Sequence, residues 1–438
     1  MKKWGLGVWV LMVLAVLVLP AQAEVQNIKV DGSVTVRGFL RDNYSTTGSG
    51  GGLSLTGFSE NESQDWYNSI ALLGVSADLT DNVAARVQIG NERDWGTPST
   101  ASTDVQLYEA YLTFKEMLLS PLTVSAGRMP VKLGDGLFIG DGVTNETSIY
   151  AADYSAQKSF DGITGALDFD PVVVTLGTLK IQDQPQRQRD DTDIYFVDAA
   201  YTLDAENKLV WNSQFVTLYY NSPGPAVSGT GPSSLSTEHV SLYGLATGIG
   251  LQPEKGLTAK LGAGAEFGTY ENTPTADRKI KAWAMDAGIG MALEMIDFGG
   301  KYVYRSGQDW TSTTGDYKSW YPMFEDQLNG IIYDPNTNTS SFALTARMMP
   351  VDKLTLTAEL WYYLLAKRQT VDTTLGTKAK KEAGTELDVL AKYAYTEDVS
   401  LGLEIAWFFP GEYYDAKADG TRMDRTGFQA VAELGVKF

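Results

Sequence analysis

The chain has no cysteine and only one histidine among its 438 residues. Without cysteine, an exported chain of this length has no disulfides, so its stability must come from packing or from a continuous hydrogen-bond network. The histidine, His239, stands at the start of a predicted strand beside a Ser/Gly-rich segment. No catalytic signature surrounds it, so we interpret it as a surface residue and expect neither an enzyme nor a bound cofactor.

Positive charge is scarce, with 35 Lys and Arg against 54 Asp and Glu and a formal net charge of −19. Phosphate groups repel such a chain, which excludes DNA and RNA as expected partners. Linkers are also lacking, since no Pro/Ser-rich segment or block of charge divides residues 24–438. We therefore expect these residues to form a single domain.

Long apolar runs are absent beyond the N-terminus, so we predict no transmembrane helix in the mature chain. The first residues combine two lysines, an apolar run over residues 4–19 and the small-x-small sequence Ala21-Gln22-Ala23. These are the parts of a secretory signal peptide, which we predict over residues 1–23. The alternative is an uncleaved membrane anchor, but the apolar run is short for a spanning helix.

The rest of the chain repeatedly alternates apolar with polar or small residues over about ten to fifteen positions, which is the period of a β-strand. In residues 83–89, for example, Val87 and Ile89 share one face, and Arg86 and Gln88 share the other. One face suits lipid and the other suits water, as in a strand that crosses a membrane.

We predict about eighteen such strands. They lie near residues 28–44, 66–80, 83–94, 104–116, 121–129, 159–168, 171–182, 191–203, 207–220, 238–251, 256–270, 279–294, 296–307, 341–349, 352–366, 383–396, 398–409 and 424–438. Tight connections, such as 80–82 and 396–398, alternate with long ones, such as 45–65, 221–237 and 410–423. This predicts an all-β fold, a transmembrane antiparallel up-and-down β-barrel of the bacterial outer membrane, with short periplasmic turns, long extracellular loops and periplasmic termini.

The last strand ends in Phe438, with Leu434 and Val436 on the same face. This ending resembles the signal that the bacterial barrel-assembly machinery recognises, so we expect that machinery as a partner during insertion. Aromatic residues also gather where predicted strands meet loops, as at Trp66 and Trp407. Such rings suit the headgroup level, with outer-membrane lipid and lipopolysaccharide as partners, although strands are enriched in aromatic residues in general.

A barrel of this width is too wide for its own side chains to fill, so it leaves an aqueous channel unless loops or a plug occupy it. The polar faces of the strands would line that channel. The predicted cationic lining comprises Arg37, Arg41, Arg86, Lys260, Lys301, Arg305, Arg347 and Lys392. The predicted anionic lining comprises Glu92, Glu109, Glu266, Asp286, Glu359, Glu386, Asp388 and Glu404. The two sets are similar in size, so the sequence leaves ion selectivity open.

Two long segments have alternative interpretations. Residues 130–158, rich in Gly, Asp and Asn, either fold inward as a constriction or, as we favour, form a solvated outer loop. Four of their side chains could gather Ca²⁺, although their spacing matches no defined calcium loop. These four are Asp135, Asp141, Asn145 and Glu146. Residues 308–340, with Trp310, Trp320, Tyr321 and Phe324, either pack inside the barrel or contact sugars, or pack at the outer interface.

Several short motifs resemble the alginate export family of outer-membrane porins. They are Gly127-Arg128, Gly134-Asp135-Gly136-Leu137, Lys158-Ser159-Phe160-Asp161-Gly162, Gly384-Thr385-Glu386-Leu387-Asp388, Tyr393, Tyr395 and Phe408-Phe409-Pro410-Gly411. The resemblance implies an eighteen-stranded barrel, in agreement with the strand count, and a monomer. In the family's best-known branch it also implies a cationic lumen that passes an anionic uronate polysaccharide.

The chain departs from that branch at two points. Lys158 stands where an arginine is usual, and the predicted lining is mixed rather than arginine-rich. Arg128 also needs a special position, because strict alternation from Val124 and Ala126 directs it to the lipid face. It therefore lies either at the outer rim or beyond a β-bulge.

These features lead us to expect an outer-membrane porin with an aqueous channel for polar or charged solutes, an anionic polysaccharide or oligosaccharide among them. One alternative is a general or sugar-selective diffusion porin, and another is a plugged barrel that serves as a surface scaffold or adhesin. A catalytic carboxylate pair is disfavoured, because strand alternation alone places Glu386 and Asp388 on one face. Conductance separates an open pore from a plugged barrel.

Overall fold

The computed structural model describes most of the chain. The described residues are 26–43, 63–96, 105–142, 158–182, 192–220, 239–271, 277–308, 315–326, 329–368, 370–372, 377–378, 380–414 and 425–438. The predicted signal peptide, Asn145, Glu146, Trp310 and the side chain of His239 lie outside what is described. Within the described ranges, no helix is long and apolar enough to cross a membrane.

Eighteen antiparallel strands form one closed sheet, and two more form a short separate hairpin. The strands are β1 (Gln26–Asp42), β2 (Ser63–Thr80), β3 (Val83–Asp94), β4 (Gln106–Phe114), β5 (Leu122–Met129), β6 (Phe160–Asp168), β7 (Val172–Gln182), β8 (Thr192–Asp204), β9 (Leu209–Tyr220), β10 (His239–Leu251), β11 (Gly256–Glu271), β12 (Arg278–Ala292), β13 (Ile296–Arg305), β14 (Thr339–Val351), β15 (Leu354–Leu365), β16 (Thr370–Asp372), β17 (Thr377–Lys378), β18 (Glu382–Ala394), β19 (Val399–Pro410) and β20 (Gly427–Lys437). The hairpin is β16–β17, and the barrel closes where β1 pairs with β20. The predicted eighteen-stranded up-and-down barrel is confirmed.

Strands that follow one another in the chain are neighbours in the barrel, so tight turns collect at one end and long connections at the other. We call these the turn end and the loop end. β1 begins at the turn end, where Gln26 pairs with Asp78. β20 also finishes there, where the Lys437 amide donates to the Asp398 carbonyl at 2.8 Å. Both ends of the barrel's strand series therefore lie at the turn end.

The two faces of the barrel follow the period-two pattern of the sequence. On β3, the outward Val87 and Ile89 side chains are exposed, whereas the inward Arg86 is half-buried. The same alternation leaves Leu245 and Ile249 exposed on the outward face of β10. Exposed apolar side chains around a closed sheet match the lipid-facing surface of a membrane barrel, in which every backbone group is paired within the sheet.

A β-bulge on β4 interrupts the strict alternation of inward and outward side chains. The register with β3 shifts between Gln88 and Ile89, where Tyr108 is the extra residue. Tyr108 and Glu109 consequently both turn inward, and the Tyr108 hydroxyl donates to Glu92 at 2.9 Å. A bulge thus lets two consecutive polar side chains enter the lumen.

Gly127 on β5 has a backbone conformation that depends on glycine. Its φ is +128°, and a Cβ at this position would collide with the Ala110 carbonyl of the neighbouring strand. A side chain would therefore meet both an unfavourable dihedral and a steric clash. This accounts for the glycine in the first of the family-like motifs.

We expect Gly127→Ala to lower the free energy of unfolding by about 1–3 kcal/mol, the cost of a sparsely populated backbone conformation, before the clash is added. Urea unfolding of the refolded barrel measures the change. Gly165→Ala on adjacent β6 is the control, because its added Cβ would make only an ordinary 3.7 Å contact with Leu122. Equal unfolding midpoints for the two variants would contradict the role given to Gly127.

Candidate functional site

The charged residues predicted to line the lumen all occupy inward-facing strand positions, opposite the exposed apolar face. They differ in burial. The buried group comprises Arg41, Glu92, Glu109, Glu266, Arg305, Glu386 and Asp388. The half-buried or exposed group comprises Arg37, Arg86, Lys260, Asp286, Lys301, Arg347, Glu359, Lys392 and Glu404. Whether either group lines a conducting path stays a prediction, but their different burial points to different tasks.

Residues 130–142, which we call the first inner loop, fold into the barrel. Leu133, Phe138 and Ile139 are buried, and the Phe138 ring lies over Gly244, where a Cβ would come within 2.6 Å of it. Gly244 is on the inward face of β10, so the loop packs against the inner wall. The expectation of a solvated outer loop was wrong for this part of residues 130–158, because its apolar side chains find an apolar inner wall to cover.

The second inner loop comprises residues 315–326 and 329–338. It also packs inside the barrel, which was one of the alternatives predicted for this segment. Trp320 is buried, and its ring stacks on Phe138 with 5.5 Å between centroids. The Tyr321 amide donates to the Glu266 carboxylate of β11 at 2.8 Å. The Trp320 ring is therefore used for packing in this conformation and does not offer its face to a sugar.

A short stretch of parallel pairing joins the two inner loops. Ile139 and Phe324 form a β-bridge, the Gly140 amide donates to the Phe324 carbonyl at 2.8 Å, and the Phe324 amide donates to the Phe138 carbonyl at 2.9 Å. Phe324 in turn meets the Phe160 ring of β6 edge-on at 5.3 Å. The loops consequently form one layer over the inward faces of β5–β12.

A cluster of four charges holds this layer together. Lys132 Nζ lies 3.1 Å from Asp141 and 2.8 Å from Asp326, and Lys158 Nζ donates to the carbonyls of Phe324 and Glu325. Burial lowers the pKa of Lys158, against the attraction of Asp326. For Lys132, burial is outweighed by its two carboxylate partners, so its pKa is raised. Lys158, at a position where the resemblance implies an arginine, thus fastens the second inner loop.

The glycines of the first inner loop make room for this cluster. A Cβ on Gly136 would lie 2.6 Å from an Asp326 oxygen, and a Cβ on Gly140 would collide with the same carboxylate. Asp326 was not predicted from the sequence, because it lies far from these glycines along the chain. Asp135 pairs with Lys260 at 3.4 Å, so both described members of the calcium hypothesis have lysine partners. Calcium binding stays an untested prediction.

Glu386 and Asp388 anchor the second inner loop by accepting hydrogen bonds from its backbone. Glu386 accepts from the amides of Ile332 and Tyr333 at 2.6 and 2.9 Å, and Asp388 accepts from Ile331 at 3.4 Å. Both carboxylates are buried beneath the loop. They occupy inward positions as predicted, but their task is to satisfy backbone N–H groups rather than to face open solvent.

Arg305 is the second buried anchor. Its guanidinium is fully buried and makes two bonds to Asp286, at 2.7 and 3.2 Å, and one to Glu325 of the second inner loop at 3.3 Å. Burial raises the pKa of Glu325 to about 8, although Arg305 opposes the shift. The loop is therefore attached to the wall through a carboxyl group whose charge changes near neutral pH.

The exposed cations lie together on one arc of the wall, from β11 to β18. The side chains of Lys260, Lys301 and Arg347 are 39%, 45% and 49% exposed, and Lys392 is exposed as well. Their carboxylate partners are Asp135 for Lys260, Glu359 for Lys301 and Asp297 for Arg347, which are 44%, 20% and 36% exposed. The cation is thus the more exposed member in the pairs of Lys301 and Arg347. We call the four cations, Lys260, Lys301, Arg347 and Lys392, the cation track.

On the arc from β20 to β4, two ion pairs have the carboxylate rather than the cation as the more exposed member. Arg37 is 15% exposed while its partner Glu433, at 2.7 Å, is 33% exposed. Arg86 is 23% exposed while its partner Asp31, also at 2.7 Å, is 45% exposed. In these two pairs the carboxylate is the more solvent-accessible member, whereas Glu109, the second partner of Arg86 at 2.6 Å, is only 9% exposed.

The remaining family-like motif residues hold structure at the loop end. Arg128 stays on the outward face and pairs with Asp161 at 3.3 Å, which matches the outer-rim alternative. In the last motif, Phe409 is exposed on the outward face, and the Gly411 amide donates to the Ala383 carbonyl at 2.9 Å. A Cβ on Gly162 would collide with the neighbouring strand's backbone.

Comparison with known proteins agrees with this architecture. A family model described as alginate export matches residues 55–428. Similar solved structures include a BenF-like porin from Pseudomonas fluorescens Pf-5 (TM-score 0.59, 10% identity, 94% of this chain and 99% of that one) and Pseudomonas aeruginosa OccK9 (0.58, 12%, 94% and 98%). Acinetobacter baumannii OccAB4 is also similar (0.54, 10%, 95% and 99%). No curated protein matches in sequence.

The raised pKa of Glu325 predicts that the second inner loop loosens as pH rises. A carboxyl group with a folded-state pKa above its ordinary 4.5 contributes full stability below 4.5 and loses that contribution as pH rises through about 8. Tryptophan fluorescence, which reports on Trp320, and channel noise should both change over pH 6–9. Glu325→Gln removes the titrating group and should abolish the transition; an unchanged transition in this variant would refute the assignment.

Proposed function

The chain belongs to the alginate export family and is an outer-membrane porin, and from this premise we propose that its lumen favours anionic solutes, in particular anionic oligosaccharides or polysaccharides. The observation that carries the proposal is the cation track, where four cationic side chains stay accessible on one arc of the wall. In a narrow channel with low-dielectric walls, such charges act strongly on passing ions.

The register of the track supports a binding path for an extended anion. Lys260 and Lys301 both pair with Gly288, so a single strand separates them and their backbones are about 10 Å apart. Gly288 has no side chain to separate the two ammonium groups. Arg347 and Lys392 continue the track toward the turn end. A chain of carboxylates can therefore pass from one cation to the next.

The wall beside the track has few side chains. Inward-facing positions on β10–β12 are glycine at Gly248, Gly250, Gly262 and Gly288, and a Cβ on Gly250 would meet nothing within 4 Å. The missing side chains leave room beside the track for a bulky ring. This supports a saccharide rather than a small inorganic anion as the preferred solute.

Neutralising the track tests the proposal. We expect Lys260→Gln, Lys301→Gln, Arg347→Gln and Lys392→Gln together to lower the anion-to-cation permeability ratio several-fold, because four accessible charges leave the conduit. Reversal potentials of the refolded protein in planar bilayers under a salt gradient measure the ratio. Block by an oligouronate should weaken by at least about tenfold, the effect of losing roughly 1.4 kcal/mol of binding.

The matched control removes four lysines of the short turns, all of them exposed and outside the lumen: Lys115, Lys208, Lys255 and Lys353. This control changes the net charge equally and should leave selectivity unchanged. Weakly selective channels that ignore oligouronate would favour a general or sugar-selective porin instead. Absence of conductance would favour a plugged barrel acting as a scaffold or adhesin, the alternative that the inward packing of both loops supports.

We further propose that the turn end faces the periplasm and the loop end faces the exterior, and that the barrel acts as a monomer. The short turns and the shared end of both termini support the orientation. The exposed Phe438 side chain, beside Leu434 on the outward face, supports contact with the barrel-assembly machinery during insertion.

The orientation is testable because the chain has no native cysteine. We expect a membrane-impermeant maleimide added to intact cells to label Glu412→Cys at the loop end and not Asp352→Cys at the turn end. Both positions are exposed, so their intrinsic reactivity should be similar after the cells are broken. Labelling of Asp352→Cys on intact cells would reverse the proposed orientation.

A further inference from the structure

A groove of about 550 Å³ lies on the outward face of β8–β11, where Ser213, Ala263 and Ala265 have small side chains. Its outward lining comprises Val197, Ser213, Phe215, Leu245, Thr247, Ala263 and Ala265. The Thr247 hydroxyl accepts from the Trp211 indole and donates to the Asn212 carbonyl, both at 3.0 Å, so it presents no unsatisfied polar group. The groove is an apolar, concave strip on a surface that faces lipid.

A row of rings borders the groove on its loop-end side. Tyr195, Thr217, Tyr243 and Phe267 are consecutive register partners across β8–β11. The Tyr243 and Phe267 rings stack with 5.6 Å between centroids, and the Tyr243 and Tyr219 hydroxyls are 3.3 Å apart. Rings with polar tips at this depth mark the level where headgroups meet acyl chains.

Two exposed lysines lie at the end of the same rows. Lys281 is the register partner of Phe267, and Lys279 is the partner of Thr269 one step closer to the loop end. Both are on the outward face of β12. Lys281 pairs with Asp316 at 2.8 Å, yet its side chain remains 60% exposed. Lys279 therefore lies nearest the loop end, Lys281 lies level with the rings, and the apolar groove lies on the other side of the rings, toward the middle of the barrel.

We propose that this surface binds the phosphorylated, multiply acylated glycolipid anchor of lipopolysaccharide, with a phosphate at Lys279 and Lys281, sugar against Tyr243 and Phe267, and an acyl chain in the groove. The order of the three zones matches the order of phosphate, sugar and hydrocarbon in such a lipid. A second copy of the chain fits less well, because two concave surfaces placed face to face leave a void.

Native mass spectrometry of the refolded full-length barrel in detergent tests the site, with hexa-acylated bisphosphoryl lipid A as the probe. We expect Lys279→Gln with Lys281→Gln to weaken binding at least tenfold, and Ala263→Leu with Ala265→Leu, which fill the groove, to weaken it similarly. Matched controls are Lys255→Gln with Lys353→Gln at the turn end, and Ala430→Leu with Ala432→Leu on the outward face of β20. Both controls should bind as the wild type does.

Two comparison lipids and one further measurement decide the outcome. Dephosphorylated lipid A should bind at least tenfold more weakly than the bisphosphoryl form, and phosphatidylglycerol should bind more weakly as well. Wild-type affinity in either test variant, or equal affinity for phosphatidylglycerol, would overturn the proposal. Lipid-displaceable dimers that disappear in the Ala263→Leu, Ala265→Leu variant would instead assign the groove to a second copy. Because binding is measured in detergent, the result does not depend on conductance.

Discussion

Closure of the sheet, where β1 pairs with β20, is the constraint on which the rest of the structure depends. A sheet without edges satisfies its backbone hydrogen bonds internally, so its outward face can be apolar and meet lipid. The strict alternation that follows directs every second residue inward. Eighteen strands then enclose more space than inward side chains can fill, and the two inner loops must be held in that space by specific contacts.

Those contacts explain why charge in the lumen divides into two kinds. Arg305, Glu386 and Asp388 are buried because each satisfies a loop group that would otherwise lose its hydrogen bonds on entering the barrel. A buried charge is tolerated when it is paired in this way. Lys301 and Arg347 have no loop to hold and stay accessible. Lys260 is intermediate, because it pairs with Asp135 of the first inner loop and still remains 39% exposed. Burial beneath a loop, rather than residue type, therefore separates Arg305, Glu386 and Asp388 from Lys301 and Arg347.

The strands and the facing of their side chains could be predicted from the sequence because both depend on a period of two residues within a single segment. The burial of the lining charges could not, because it depends on contacts such as that of Glu266 with the Tyr321 amide, which lie 55 residues apart in sequence. Gly136, Gly140 and Gly142 are evident in the sequence, but the Asp326 carboxylate for which they make room is not. Tertiary contacts between two irregular loops leave no periodic signal.

The number of charged side chains on the inward face and their solvent exposure carry different information about the lumen. Counting residues suggests no preference for either ion, since cations and anions on the inward face are similar in number. The solvent exposure of individual pairs adds to this count: on β11–β18 Lys301 is more exposed than its partner Glu359, whereas on β20–β4 Glu433 is more exposed than its partner Arg37. If the cation track acts as proposed, an anion favours the arc that carries Lys301 and Arg347 over the arc that carries Asp31 and Glu433.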